Sequence, residues 1–195
     1  MPPPKILVLP GSVRTGSDNA RLAALAAKAL TLADAEVTRI SLTDYAMPLY
    51  DPNVEAVSGA PPNAIKLKRM IGAHHGVFLT TPELNASIPP LLINTLGWVA
   101  RVRERNEAPN GAFRGRVFAL GSATRDSTGG IRALMALRQV LEIGCGALVL
   151  PEQISVPMAD QAFDEMDNLK DHRAAELMDT IARRLVELSW QRLEA

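Results

Sequence analysis

Lys5-Ile-Leu-Val-Leu9 runs directly into Pro10-Gly-Ser-Val-Arg-Thr-Gly-Ser-Asp-Asn-Ala-Arg-Leu22. After the lysine the first stretch is apolar without polar alternation, the pattern of a central parallel strand covered on both faces. Beyond the loop, Leu22, Leu25, Ala26, Ala29 and Leu30 recur at helical spacing, with Ser17 or Asp18 as the candidate cap. Gly11 and Gly16 let the intervening backbone turn tightly. Ser12, Arg14, Thr15, Ser17 and Asn19 offer donors to an anion. A polar loop between a buried strand and a helix is a natural phosphate site, because the helix's unpaired N–H groups and its positive dipole end face the loop. Gly and Ser are equally common in ordinary strand-to-helix turns, so the loop alone leaves both readings open. It lacks the Lys-Ser/Thr ending of a nucleoside-triphosphate loop and the Gly-x-Gly-x-x-Gly of a dinucleotide site. What remains is a mononucleotide phosphate held by hydroxyls, backbone amides and Arg14.

Working outward, apolar strand-like runs alternate with helical patterns. Glu36–Leu42 reads as a second strand, and a Pro-rich connection spans Tyr45 to Pro62. Asn63–Gly72 reads as a helix, Gly76–Thr80 as a strand, and Pro89–Val99 as a helix with Pro tolerated in its first turn. Arg116–Gly121 is a further strand, Ile131–Ile143 a helix, Gly146–Leu150 a fifth strand and Leu169–Leu193 a long closing helix. This βα alternation predicts an α/β protein with an open, doubly wound parallel sheet and helices on both faces. Ligands in such sheets sit beyond the carboxyl ends of the strands, where strand order reverses. Pro10–Asn19, Thr81–Ser87 and Ser122–Gly130 all follow strand ends and carry polar groups. In the order 2-1-3-4-5, which the fold class supplies, they converge on one crevice.

The chain of 195 residues suits one domain spanning 1–195. With 47% apolar residues and 22% charged, it is globular and not disordered. Its 21 basic and 21 acidic residues balance and form no basic block, which argues against a nucleic-acid partner. A lone cysteine, Cys145, excludes an intrachain disulfide and suggests no metal cluster. The opening apolar run is too short for a signal peptide or membrane span, so a cytoplasmic location without membrane contact is expected.

The three loops resemble those of the NADPH-dependent FMN reductase family, flavodoxin-like reductases of quinones, flavins and azo dyes. Gly11, Ser12, Arg14, Ser17 and Asn19 are similar to its Gly-Ser-x-Arg…Ser-x-Asn pattern. Pro82-Glu-Leu-Asn-Ala-Ser-Ile-Pro89 and Leu92-Ile-Asn-Thr-Leu-Gly-Trp98 resemble its Pro-Glu-Tyr-Asn-x-Ser-x-Pro…Leu-Lys-Asn-x-x-Asp-Trp signature. Gly129, Gly130, Leu137, Arg138 and Leu141 match its Gly-Gly…Leu-Arg-x-x-Leu element. The chain departs from the pattern at Leu84 for Tyr, Gly97 for Asp and Ile93 for Lys, and its third loop is a residue longer than typical.

The resemblance implies a flavodoxin-like five-stranded sheet and an FMN-dependent oxidoreductase with NADPH or NADH as donor and a small-molecule acceptor. It also implies self-association as a homodimer or tetramer. Arg14, with Gly11, Ser12, Ser17 and Asn19, would hold the phosphate; Pro82, Glu83, Leu84 and Asn85 would line the ring. Ser87, Ser127, Gly129 and Gly130 complete the implied site. Capping of the helix after Pro89 is the competing role for Asn85 and Ser87, and an arginine across an interface the competing partner for Glu83. Flavin chemistry needs no protein nucleophile, so no catalytic residue is assigned. The competing function is a non-enzymatic flavodoxin-like electron carrier or redox sensor.

Other conspicuous residues read as structural. Cys145 is expected to be a buried thiol. His74 and His75 lie at the amino end of their strand, away from the crevice, and His172 on the last helix is expected to be solvated. Met158, Phe163 and Met166 suggest packing or one wall of the substrate opening. The segment Pro89–Val99 is apolar almost all round, so Leu92, Leu96 and Trp98 are expected subunit contacts, rimmed by Arg101 and Arg103; the alternative is that the long loops cover it within one chain.

Overall fold

In the computed structural model, which describes residues 2–104 and 106–192, the apolar runs become parallel strands. These are β1 (Lys5–Pro10), β2 (Glu36–Arg39), β3 (Gly76–Thr80), β4 (Val117–Ala123) and β5 (Leu148–Val156). They pair in the order β2-β1-β3-β4-β5, every neighbouring pair parallel. Six α-helices accompany them among the described residues: α1 (Asp18–Leu32), α2 (Pro52–Ser58), α3 (Pro62–Gly72), α4 (Pro90–Arg101), α5 (Ile131–Gln139) and α6 (His172–Gln191). The expected doubly wound, flavodoxin-like sheet is therefore present, in the expected strand order.

Period-two alternation along β1 explains why the run had no polar gaps. Ile6 and Val8 pack with Leu22, Leu30, Ile181 and Leu185 of α1 and α6. Leu7 and Leu9 face the other way, among Leu67, Ile71, Leu92, Leu96 and Leu134 of α3, α4 and α5. Both faces are dry, so every residue from Ile6 to Leu9 is within 1% of fully buried.

Several boundaries differ from expectation for local physical reasons. The second strand stops at Arg39; Leu42–Tyr45 turns as a short 3-10 segment in which the Thr43 amide donates to the Ser41 hydroxyl. The Pro-rich connection contains α2, begun by Asp51, whose carboxylate accepts from the Asn53 amide at 2.7 Å, and by Pro52 at the first helical position. Strand β4 continues two residues past Gly121. Strand β5 runs to Val156, six residues past Leu150: Phe118 pairs with Val149 but Leu120 with Gln153, so β5 carries two extra residues, around Pro151. The expected single helix 131–143 ends as an α-helix at Gln139 and widens into a π turn over Val140–Gly144. The closing helix begins at His172, capped by Asp171; Leu193, its expected end, lies outside the described residues.

The expected subunit contacts on α4 are overturned. Leu92, Leu96 and Val99 pack against the sheet. Trp98 is fully buried beneath Met47, Tyr50 and Ala60 of the connection, together with Ala64 and Ile65 of α3. Its indole N–H donates to the Pro48 carbonyl at 2.8 Å, and Tyr50 meets it edge-to-face at 5.0 Å. An all-apolar helix needs two covers, and this chain supplies both. Cys145 is buried as expected. His74 is buried against the Met70 carbonyl, His75 accepts from the Lys5 amide, and the side chain of His172 is 86% exposed.

Candidate active site

The first, second and third loops meet at the carboxyl ends of β1, β3 and β4, and a lattice of buried hydrogen bonds ties them together. The Gly11 amide donates to the Thr80 carbonyl at 2.7 Å. A Cβ on Gly11 would come within 2.6 Å of that oxygen, so only glycine allows this approach. The Thr80 hydroxyl donates to the Asn19 carbonyl at 3.0 Å. The Asn19 amide brackets Ala123, donating to its carbonyl at 2.8 Å and accepting from its N–H at 3.0 Å. Ser122 donates to the Thr81 carbonyl at 2.6 Å. With their backbones pinned, the loops keep one shape.

Between them lies an open cavity of about 510 Å³, lined by Ser12, Arg14, Ser17, Asp18, Asn19, Pro82, Glu83 and the stretch Ala123–Asp126. Six of the expected site residues thus converge: Ser12, Arg14, Ser17, Asn19, Pro82 and Glu83. Ser17 stands at the N-cap of α1, only 2% exposed, yet its hydroxyl makes no bond to its own helix. The Ala20 and Arg21 amides are met by the Ser17 carbonyl, and those of Asp18 and Asn19, at the start of α1, have no acceptor within the helix. Arg14 of the first loop and Arg125 of the third both reach the Asp18 carboxylate, at 3.4 and 3.2 Å. Hydroxyls, a helix start and two guanidinium groups make a donor set suited to a phosphate.

Glu83 has a different partner from the one considered across an interface. Its side chain, 4% exposed, accepts from Arg132 Nε at 2.6 Å and from the Ala133 amide at 3.3 Å. It thereby closes the N-terminus of α5 within the same chain, and holds the Arg132 guanidinium above its usual pKa. Asn85 and Ser87 do not cap α4, which has Pro89 at its N-cap position and no side-chain cap. Instead Leu84 and Ser87 exchange backbone hydrogen bonds at 2.9 and 3.0 Å around Asn85 and Ala86, both at positive φ. Leu84, at the base of this tight turn, is 49% exposed.

Gly11, Leu84, Asn85, Ser87, Ser127, Gly129 and Gly130 are outside the cavity lining. Gly129 and Gly130 have left-handed backbones, and a Cβ there would strike Ser155 and Ser122 respectively, so they let the third loop pack down. Asp18, Thr124, Arg125 and Asp126 line the cavity and were not anticipated. The sequence signal for Arg125 is its place two residues beyond β4, visible only once that strand is extended to Ala123. The Asp126 carboxylate turns back on its own loop, where the Thr128 hydroxyl and amide hold its pKa below the usual range.

A family described as NADPH-dependent FMN reductase matches residues 4–161. An NAD(P)H-dependent FMN reductase of Pseudomonas aeruginosa is 32% identical over 176 residues, 89% of each chain. A quinone reductase of Escherichia coli is 32% identical over 138 residues, 70% of this chain and 69% of that one. Among solved structures, the flavoenzyme NAD(P)H:(acceptor) oxidoreductase FerB of Paracoccus denitrificans shares the fold, with a TM-score of 0.79 at 19% identity over 97% of this chain and 98% of that one.

Proposed function

The chain belongs to the NADPH-dependent FMN reductase family, and from that premise we propose that it holds FMN in the three-loop crevice and reduces quinones, free flavin or azo compounds at the expense of NADPH or NADH. The observation that carries the reading is the pinned cavity in which Ser12, Ser17, Arg14 and the start of α1 face one space. Bound FMN supplies acceptance of a hydride from the nicotinamide and delivery of electrons to the second substrate.

The protein's own part is positioning. Arg14 and the two serines neutralise and orient the phosphate. Asn19, Thr80 and Ser122 fix the walls, and Pro82 and Glu83 shape the ring-side wall, with Glu83 immobilised by Arg132. The crevice is open to solvent, so donor and acceptor enter in turn, which is ping-pong turnover. Self-association as a homodimer or tetramer belongs to the same reading; it is supported by the exposed Ile93, Met135 and Ile143 on and beside α4 and α5, not by the Trp98 face. An electron carrier without substrate turnover is less well supported, because such proteins meet partners through a strongly charged surface and this chain is charge-balanced.

Arg14→Ala tests the assignment, since the side chain is 58% exposed and its loss leaves the core untouched. A charged hydrogen bond contributes about 1.5–3 kcal/mol, so FMN affinity should fall about ten- to hundredfold while the circular dichroism spectrum is unchanged. Equal FMN titrations of variant and wild type would remove the phosphate assignment.

A further inference from the structure

The charges around the crevice do not balance in favour of an anion if Arg14 acts alone. Three carboxylates line it, those of Asp18, Glu83 and Asp126. Glu83 is answered by Arg132 and the Ala133 amide. Asp126 is turned onto Thr124 and Thr128. Asp18 is different: it sits in the first turn of α1, its side chain 8% exposed, directly where the helix would receive a phosphate. Its charge cancels that of Arg14, so a phosphate carrying about two negative charges would meet a neutral pair.

We propose that Arg125 of the third loop is a second phosphate-binding residue, which restores the positive surplus that Asp18 removes; the proposal rests on the reading of the crevice as an FMN site. Arg125 reaches the same Asp18 oxygen as Arg14, at 3.2 Å, from a residue 107 positions away. Its backbone is held on both sides. The Thr124 amide donates to the Val156 carbonyl, the Thr124 carbonyl accepts from Ala159, and the Asp126 carbonyl accepts from Met158, at 3.0, 2.9 and 3.0 Å. The guanidinium is thus presented to the cavity by an anchored turn, while its own side chain stays 62% exposed and able to swing from the carboxylate to a phosphate. Arg14 and Arg125 form a clamp closed from two loops, with Asp18 as the shared rest between them. Specificity for the phosphorylated flavin over the bare one follows from this pair, not from the first loop alone.

The experiment titrates FMN and riboflavin separately into flavin-free protein, following flavin fluorescence. Wild type should prefer FMN. Arg125→Ala should lose about tenfold in FMN affinity with riboflavin affinity unchanged, so the preference narrows tenfold. Arg125→Lys should recover part of the loss, and added salt should weaken FMN more in wild type than in Arg125→Ala. A preference for FMN that Arg125→Ala keeps in full overturns this proposal and leaves the FMN reading standing. A parallel loss of both ligands assigns Arg125 to loop packing and also overturns it. A wild type without preference overturns the proposal together with the phosphate assignment.

Discussion

Asn19 does at the scale of one residue what the crevice needs as a whole. Its amide spends both ends on Ala123, and its carbonyl receives Thr80, so it joins the first loop to the ends of β3 and β4. An asparagine at this place in the sequence invites a reading as a ligand contact; it lines the cavity, and its buried amide also holds the walls the ligand would touch. Cys145 shows the opposite economy, a reactive group made inert. It is 4% exposed after the π turn, and burial pushes its thiol up to about 11. The thiolate is the nucleophile, so at pH 8 the folded protein should leave a disulfide reagent unreduced for hours, and urea should release one thiol equivalent rapidly. Fast reaction of the native protein would show that the thiol is reachable.

At the scale of elements, legibility followed burial. The strands β1 and β3 were read from the sequence almost to the residue because both faces are apolar. Helix α2 was not, because none of its residues is buried and it has no apolar stripe to display; only the Asp51-Pro52 start marks it. The end of β5 was hidden by Pro151, which terminates a central strand but is tolerated in an edge one. The apolar surround of α4 was legible, its cover was not, since the connection bearing Tyr50 and Pro48 shows no periodicity of its own. A further element-level tie joins α3 to the stretch after α4. Lys68, its side chain 7% exposed, pairs with Glu107 at 2.5 Å and Glu104 at 3.6 Å. The hydrogen bond from Lys68 holds the Glu107 carboxyl below the usual glutamate range. A depressed carboxylate pKa adds stability above its unfolded value and loses it as pH falls through the folded one. Glu107→Gln should therefore unfold more easily in urea at pH 7, by about 1 kcal/mol, and the gap should close in acid. A gap that persists at pH 3 would assign the effect to packing instead.

Over the whole molecule, the site is a property of strand order. Loops far apart in sequence become neighbours because β1, β3 and β4 are adjacent, an adjacency that the fold class carries and residue spacing alone does not. The contributions of Asp18 and Arg125 are not legible in the same way, because in sequence Asp18 stands as a cap candidate and Arg125 is one polar residue among several in the third loop, whose family match rests on its glycines. One crevice with one mouth has a kinetic consequence. Double-reciprocal plots of NADPH oxidation at several fixed quinone concentrations should be parallel; intersecting lines would require donor and acceptor to bind together.

The irregularity in β5 reaches beyond the site. The free margins of a sheet are templates on which another chain can add a strand and begin an aggregate. Here one margin, β2, is four residues long. The other is β5, where Pro151 removes an N–H and the two extra residues break the ladder. Neither margin presents a long, regular row of donors and acceptors. Both margins are therefore poor templates for strand addition, which works against cross-strand association in a crowded solution of this protein.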